Sequence, residues 1–117
     1  MKGAANAATM PRLTYLGIRS VAEPIRLALH IGGIPFEDRR VTYEQIAAMR
    51  ASGELPMGQV PMLEVEGKCF CQTQALLRWA GEKANLYPKG QLDRLQCDQV
   101  EEALADMRSC LKPLWCK

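Results

Sequence analysis

Apolar and polar residues alternate along Arg12–Leu16, a stretch holding Thr and Tyr, and that period predicts a strand. Gly17–Arg19 reads as a turn. Ser20-Val-Ala-Glu23 then fits a capping box with Pro24 in the first helical turn. Val21, Ile25, Ala28 and Leu29 recur at helical spacing until Gly32-Gly33 ends the helix. Phe36–Val41 carries a second, heavily charged strand. Tyr43–Ala51 reads as a short helix with Ile46, Ala47 and Met49 apolar, ending near Gly53, and Leu55–Gly58 as a loop. Val60–Val65 is a third strand interrupted by Pro61. Glu66-Gly67 is a two-residue hairpin turn, and Lys68–Cys71 is the return strand. Thr73–Ala84 is a helix with Leu76, Leu77 and Ala80 on one side. Tyr87–Gly90 is a linker. Leu92–Leu111 is the longest helix, with Val100, Ala103, Leu104, Met107 and Leu111 as its stripe, and Lys112-Pro113 is expected to end it.

Two strands joined through a helix form a parallel pair, and the last two strands form a hairpin. The order predicts an α/β domain of thioredoxin-like βαβαββα type, with a mixed four-stranded sheet, followed by one long helix. We expect a disordered leader over 1–10, the thioredoxin-like domain over 11–86, and a linker with the long helix over 87–117. No internal repeat or low-complexity segment is present.

Composition narrows the function classes. The chain has 117 residues, one domain's worth, with 48% hydrophobic and 24% charged. Fifteen Lys and Arg against thirteen Asp and Glu leave a net charge of +2. With no basic run, a nucleic-acid partner is not expected. Apolar stretches are too short for a membrane span. The opening MKGAANAAT has no apolar core, so a secretory signal is not expected, and a cytoplasmic protein with reduced thiols is. The five cysteines, Cys69, Cys71, Cys97, Cys110 and Cys116, include no C-x-x-C pair. Cys69 and Cys71 should point to opposite faces of their strand. The single His, His30, is far from them in sequence, and no metal site is expected. Gly17, Ile18 and Arg19 stand where a redox thioredoxin-fold protein would carry a cysteine ahead of its first helix. Disulfide exchange is therefore disfavoured.

Three segments carry a family resemblance. LTYLGIRSVAEPIRLALHIGGIPFED resembles the first strand and helix of sigma-class cytosolic glutathione transferases. GELPMGQVPMLEVEGK resembles their loop, proline strand and hairpin. QTQALLRWAGEKANLYP resembles the helix that holds the glutamyl end of glutathione. The likeness covers nearly everything from Arg12 to Cys110. It implies a glutathione-binding domain, with the long helix as the first of a truncated all-helical domain. The reaction implied is thiol addition to an electrophilic small molecule, as in detoxification. Glutathione is the implied substrate, and a homodimer is the family default.

The resemblance also implies residue roles. Tyr15 matches the catalytic tyrosine: its hydroxyl would donate a hydrogen bond to the glutathione sulfur and favour the thiolate, the attacking form. Leu16 falls among the glutathione contacts. Val60-Pro61 matches a cis peptide whose backbone would pair with the cysteinyl backbone of glutathione as an added strand. Gln72-Thr73 matches a Gln-Ser pair at a helix N-terminus, where free N–H groups suit the glutamyl carboxylate. Gln59 would bond the ligand backbone. Arg50 lies near a cation for the glycyl carboxylate, and Asp106 near an aspartate that reaches the neighbouring subunit's glutamyl amine. Ile46 stands near a position usually aromatic.

Each residue also has a plainer reading. Tyr15 can be a packed strand residue, Pro61 an edge-strand proline, Thr73 an N-cap and Asp106 a solvated helix carboxylate. Ser20, at a place where some related classes use a serine, is explained by its cap. Trp115 near the end of the chain suggests apolar surface meant to be covered. The alternative function is a non-catalytic interaction or structural protein on the same fold.

Overall fold

The computed structural model describes residues 10–115. Positions 1–9 of the expected leader, the Cys116 thiol and the Trp115 side chain lie outside what it describes. The chain divides into two compact units, Met1–Leu86 and Tyr87–Lys117.

The first unit has the expected order: β1 (Arg12–Leu16), a 3-10 turn (Ser20–Ala22), α1 (Glu23–Ile31), β2 (Glu37–Val41), α2 (Tyr43–Ala51), β3 (Met62–Val65), β4 (Lys68–Cys71) and α3 (Thr73–Lys83). The sheet runs β2-β1-β3-β4. β1 pairs in parallel with β2 and antiparallel with β3, and β3 pairs antiparallel with β4. This is the thioredoxin-like βαβαββα arrangement. The hairpin turn at Glu66-Gly67 has φ values of 51° and 76°. Both residues are left-handed, as a turn that matches the strand twist requires.

Alternation on β1 divides the core. Leu13 packs with Ile25, Ala28 and Leu29 of α1, Leu63 of β3, and Leu76 and Ala80 of α3. A second cluster joins Val41, Ile46, Met49, Leu55 and Met62. Ile46 is therefore committed to the core. α1 and α3 meet closely at their C-terminal ends: a Cβ built on Gly32 would stand 2.6 Å from the Ala84 Cα. Backbone cannot yield there as a flexible side chain would.

Several local expectations are corrected. Ser20 does not cap α1. It lies in the 3-10 turn at φ 43°, and the α1 N-cap is Ala22, without a side-chain cap bond. The tight turn places Pro24 early in the helix and leaves no room for the box. The capping box forms instead at α2, where Thr42 Oγ1 accepts from the Gln45 amide at 3.1 Å and the Thr42 amide donates to Gln45 Oε1 at 2.8 Å. β3 begins at Met62, after the proline, because Pro61 has no amide to give the ladder.

In the second unit, α4 (Gln91–Trp115) runs through Pro113 instead of ending before it. Pro113 stands close to the helix end, and its fixed φ is compatible with a helix. The Tyr87 hydroxyl donates to Asp98 at 2.6 Å, and the Arg94 guanidinium lies 4.6 Å from the Tyr87 ring centre. The expected stripe residues Val100, Leu104, Met107 and Leu111 are exposed. No helix among the described residues is long and apolar enough to cross a membrane.

Thr14, fully buried on β1, has a hydroxyl with no hydrogen-bond partner. An orphaned buried polar group costs about 1–3 kcal/mol. Thr14→Val keeps the shape and removes the orphan, so we expect it to raise stability by about 1 kcal/mol in urea denaturation.

Candidate functional site

Strand register assembles the candidate residues. Thr14 of β1 is opposite Met62 of β3, and Met62 is opposite Cys71 of β4. One step toward the same sheet end, Tyr15, Pro61 and Gln72 follow on these adjacent strands. A step further come Leu16, Val60 and Thr73. Residues far apart in sequence thus share one end of the sheet. The Val60–Pro61 peptide is cis, as the resemblance implied.

Gln72 joins β4 to α3 and is strained. Its φ is 85° and ψ 107°, a region that a side chain rarely adopts. It is also the N-cap of α3 and makes no side-chain cap bond. Thr73, expected as the cap, is instead the first residue of the helix. The first amides of α3 consequently lack a side-chain acceptor, which leaves them suited to an anion. The Gln72 amide nitrogen donates to Gln59 Oε1 at 3.4 Å and lies 3.7 Å from Met57 Sδ. This bond brings Gln59 to the same end of the sheet.

Arg50, on the last turn of α2, is exposed, and its Nε donates to the Gly58 carbonyl at 2.8 Å. It holds the loop that leads to Gln59. Asp106 lies exposed on α4, in the other compact unit.

Tyr15 is 7% exposed. Against its ring lies a residue the sequence reading did not single out. The Arg26 guanidinium carbon is 5.7 Å from the Tyr15 ring centre, and Arg26 itself is only 5% exposed. Its Nε donates to Asp38 Oδ1 at 3.0 Å. Its Nη2 donates to the Leu16 carbonyl at 3.0 Å, and its Nη1 to the Ile18 carbonyl at 2.7 Å and Glu23 at 3.4 Å. A signal was available: Arg26 follows Ile25 on the buried stripe of α1, with Glu23 three residues before it.

The fold offers another concavity. A cleft of about 390 Å³ lies between the β3–β4 hairpin and α3, and Leu63, Val65, Phe70 and Trp79 line it together with Cys71. Neither Tyr15 nor Gln72 reaches it. The chemistry-bearing row, with its strained residue and uncapped helix end, is the better candidate.

Comparison with known proteins gives the family of the fold. The sequence profile of the family described as Glutathione S-transferase, N-terminal domain, matches residues 11–82. Glutathione S-transferase 1 of Ascaris suum is 35% identical over 107 residues, covering 88% of this chain and 51% of that protein. Glutathione S-transferase A3 of Mus musculus is 38% identical over 98 residues, covering 83% of this chain and 44% of that one. The solved structure of prostaglandin synthase D of Nilaparvata lugens superimposes with a TM-score of 0.81 at 36% identity, covering 89% of this chain and 51% of that chain. The chain thus spans about half the length of the curated relatives it matches.

The thiols differ from the row. Cys69, Cys71, Cys97 and Cys110 are free. Partial burial pushes the Cys69 thiol pKa up, and the Glu64 and Glu54 carboxylates push it the same way. Less thiolate is then present near neutral pH, and thiolate is the reactive form. We expect timed alkylation with iodoacetamide at pH 7.5, followed by peptide mass spectrometry, to label Cys69 more slowly than the same thiol in an unfolded peptide. The difference should narrow as pH rises through the thiol range.

Proposed function

The chain belongs to the glutathione S-transferase family, and from that premise we propose that the row at the sheet end binds glutathione and that Tyr15 stabilises its thiolate for addition to an electrophile. The observation that carries the reading is the bare N-terminus of α3. Gln72 heads this helix without a side-chain cap bond and in a left-handed backbone, one strand step from Pro61 and two strands from Tyr15. The helix dipole and free amides there suit the glutamyl carboxylate. The Thr73 hydroxyl adds a donor. Val60 offers backbone groups to the cysteinyl residue, and Leu16 borders the thiol beside Tyr15. Gln59 contacts the ligand backbone, and Arg50 supplies positive charge at the glycyl end.

A phenol donating a hydrogen bond to sulfur favours the ionised form, and thiolate is the nucleophile. In the addition, the thiolate lone pair forms the carbon–sulfur bond. The electrons displaced from the electrophile leave with its leaving group or take up a proton. The protein acts in the cytosol as a homodimer, with Asp106 facing the neighbouring subunit's glutamyl amine. The sigma-like subclass rests on the segment from Leu13 to Asp38. The second reading is a non-catalytic interaction protein on this fold; the exposed apolar stripe of α4 is the observation in its favour.

Calorimetric titration separates the two. Glutathione should bind with Kd of about millimolar or tighter. Tyr15→Phe should leave that Kd within about threefold while the bound thiolate, read from its ultraviolet absorbance, falls about tenfold or more. A folded chain that binds no glutathione contradicts the reading. A Tyr15→Phe variant with undiminished thiolate removes the tyrosine's role.

A further inference from the structure

We propose that Arg26 is the positioning residue for Tyr15. It would fix where β1 ends and would hold the phenol against the bound thiol without touching the ligand itself. This rests on the glutathione reading above and adds a residue to it.

The geometry is that of a clamp. Arg26 stands on α1, and its four hydrogen bonds end on groups from separate parts of the fold. The carbonyls of Leu16 and Ile18 belong to the segment directly after Tyr15. Asp38 belongs to β2, the strand that pairs with β1 in parallel, where Tyr15 faces Arg40 in register. Glu23 opens α1. One planar guanidinium therefore spans the end of β1, the following loop, the neighbouring strand and the first turn of the helix.

Chemistry explains why arginine suits this place. The loop after β1 has left the ladder, so its carbonyls need donors when buried. A guanidinium presents five N–H groups in a rigid fork, whereas an ammonium is a point charge with rotatable donors. Arg26 supplies donors to the Leu16 carbonyl at the strand's last residue and the Ile18 carbonyl in the loop while remaining paired with two carboxylates. Its charge is thus compensated, as a residue 5% exposed requires. The guanidinium also lies 5.7 Å from the centre of the Tyr15 ring, within cation–π range. The loop it holds contains Ser20 at φ 43°, a conformation that surrounding contacts must maintain. Losing the fork would let both loop and ring move, and a shift of ~1 Å at a reacting group can cost a hundredfold.

The test replaces the fork but keeps the charge. Arg26→Lys preserves pairing with Asp38 and Glu23 and cannot bridge both carbonyls at once. The chain has three tyrosines, so 3-fluorotyrosine labelling resolves Tyr15 from Tyr43 and Tyr87 by fluorine NMR. We expect the Tyr15 line to shift or broaden in Arg26→Lys while the other two stay put. The glutathione Kd should stay within about threefold, whereas the bound thiolate should fall about tenfold or more. A merely structural role would move all three tyrosine lines or the Kd. An unchanged Tyr15 line with unchanged thiolate overturns the proposal. If Arg26→Lys does not fold, Asp38→Asn decides: it removes the charge that anchors Nε, and a selective change at Tyr15 supports the clamp while no change overturns it. Should the wild-type chain bind no glutathione, the functional reading fails, and the fluorine result still decides whether Arg26 positions Tyr15.

Discussion

The first unit depends on satisfying both sides of β1. Leu13, Thr14 and Tyr15 are all buried, so their backbone amides and carbonyls have no water to fall back on. β2 satisfies one side in parallel and β3 the other antiparallel. With both flanks occupied, β1 becomes the central axis. Its alternation then sends Leu13 into the cluster with α1 and α3, and Thr14 away from it. Tyr15, on the Leu13 side and near the strand's end, is carried to the rim of the sheet beside the start of α1. The catalytic position we assign to Tyr15 follows from the same pairing that holds the core together.

The rim has a division of labour. Pro61 delays the start of β3 to Met62 because it lacks an amide, and β4 stops at Cys71, so the sheet end is cut along a line. Gln72 must then turn the chain from strand to helix in a single residue, which it does at φ 85°. That sharp turn brings the amides of α3 to the rim and leaves them without a side-chain cap. Strain at Gln72 and an uncapped helix are both unfavourable to folding taken alone. Their coincidence at one rim is what a site for an anion would require. Gln59 reaches this rim by its contact with Gln72 instead of strand register, and Arg50 holds the Gly58 carbonyl just before it.

Regular elements were legible from alternation on β1 and, for the weakly patterned α2, from its bounding residues, Thr42 as cap and Gly53 after its end. Arg12–Leu16 and Tyr43–Ala51 appear with the expected bounds, and the predicted Glu66-Gly67 turn joins β3 to β4. The candidate row was legible only through a family resemblance, since no local period says that Tyr15, Pro61 and Gln72 meet. What failed was local chemistry that tertiary structure overrode. Ser20 looked like a cap by spacing, but the chain needed a tight turn there. Thr73 looked like a cap, but Gln72 took that position. Pro113 looked like a stop, but the helix continues two residues past it, giving up the amide bond to the Ser109 carbonyl. Arg26 escaped notice because a charged residue on an apolar stripe reads as an exception, and its partners, Leu16, Ile18 and Asp38, come from elements that only the fold brings together.

The central claim is that glutathione lies along this row, and amide chemical-shift mapping of the nitrogen-15-labelled chain during glutathione titration tests it most directly. The account predicts saturable shifts at Tyr15, Leu16, Gln59, Val60, Gln72 and Thr73, with the β4–α3 cleft residues Phe70 and Trp79 unaffected. Shifts confined to that cleft, or none at the row in a folded chain, would contradict it.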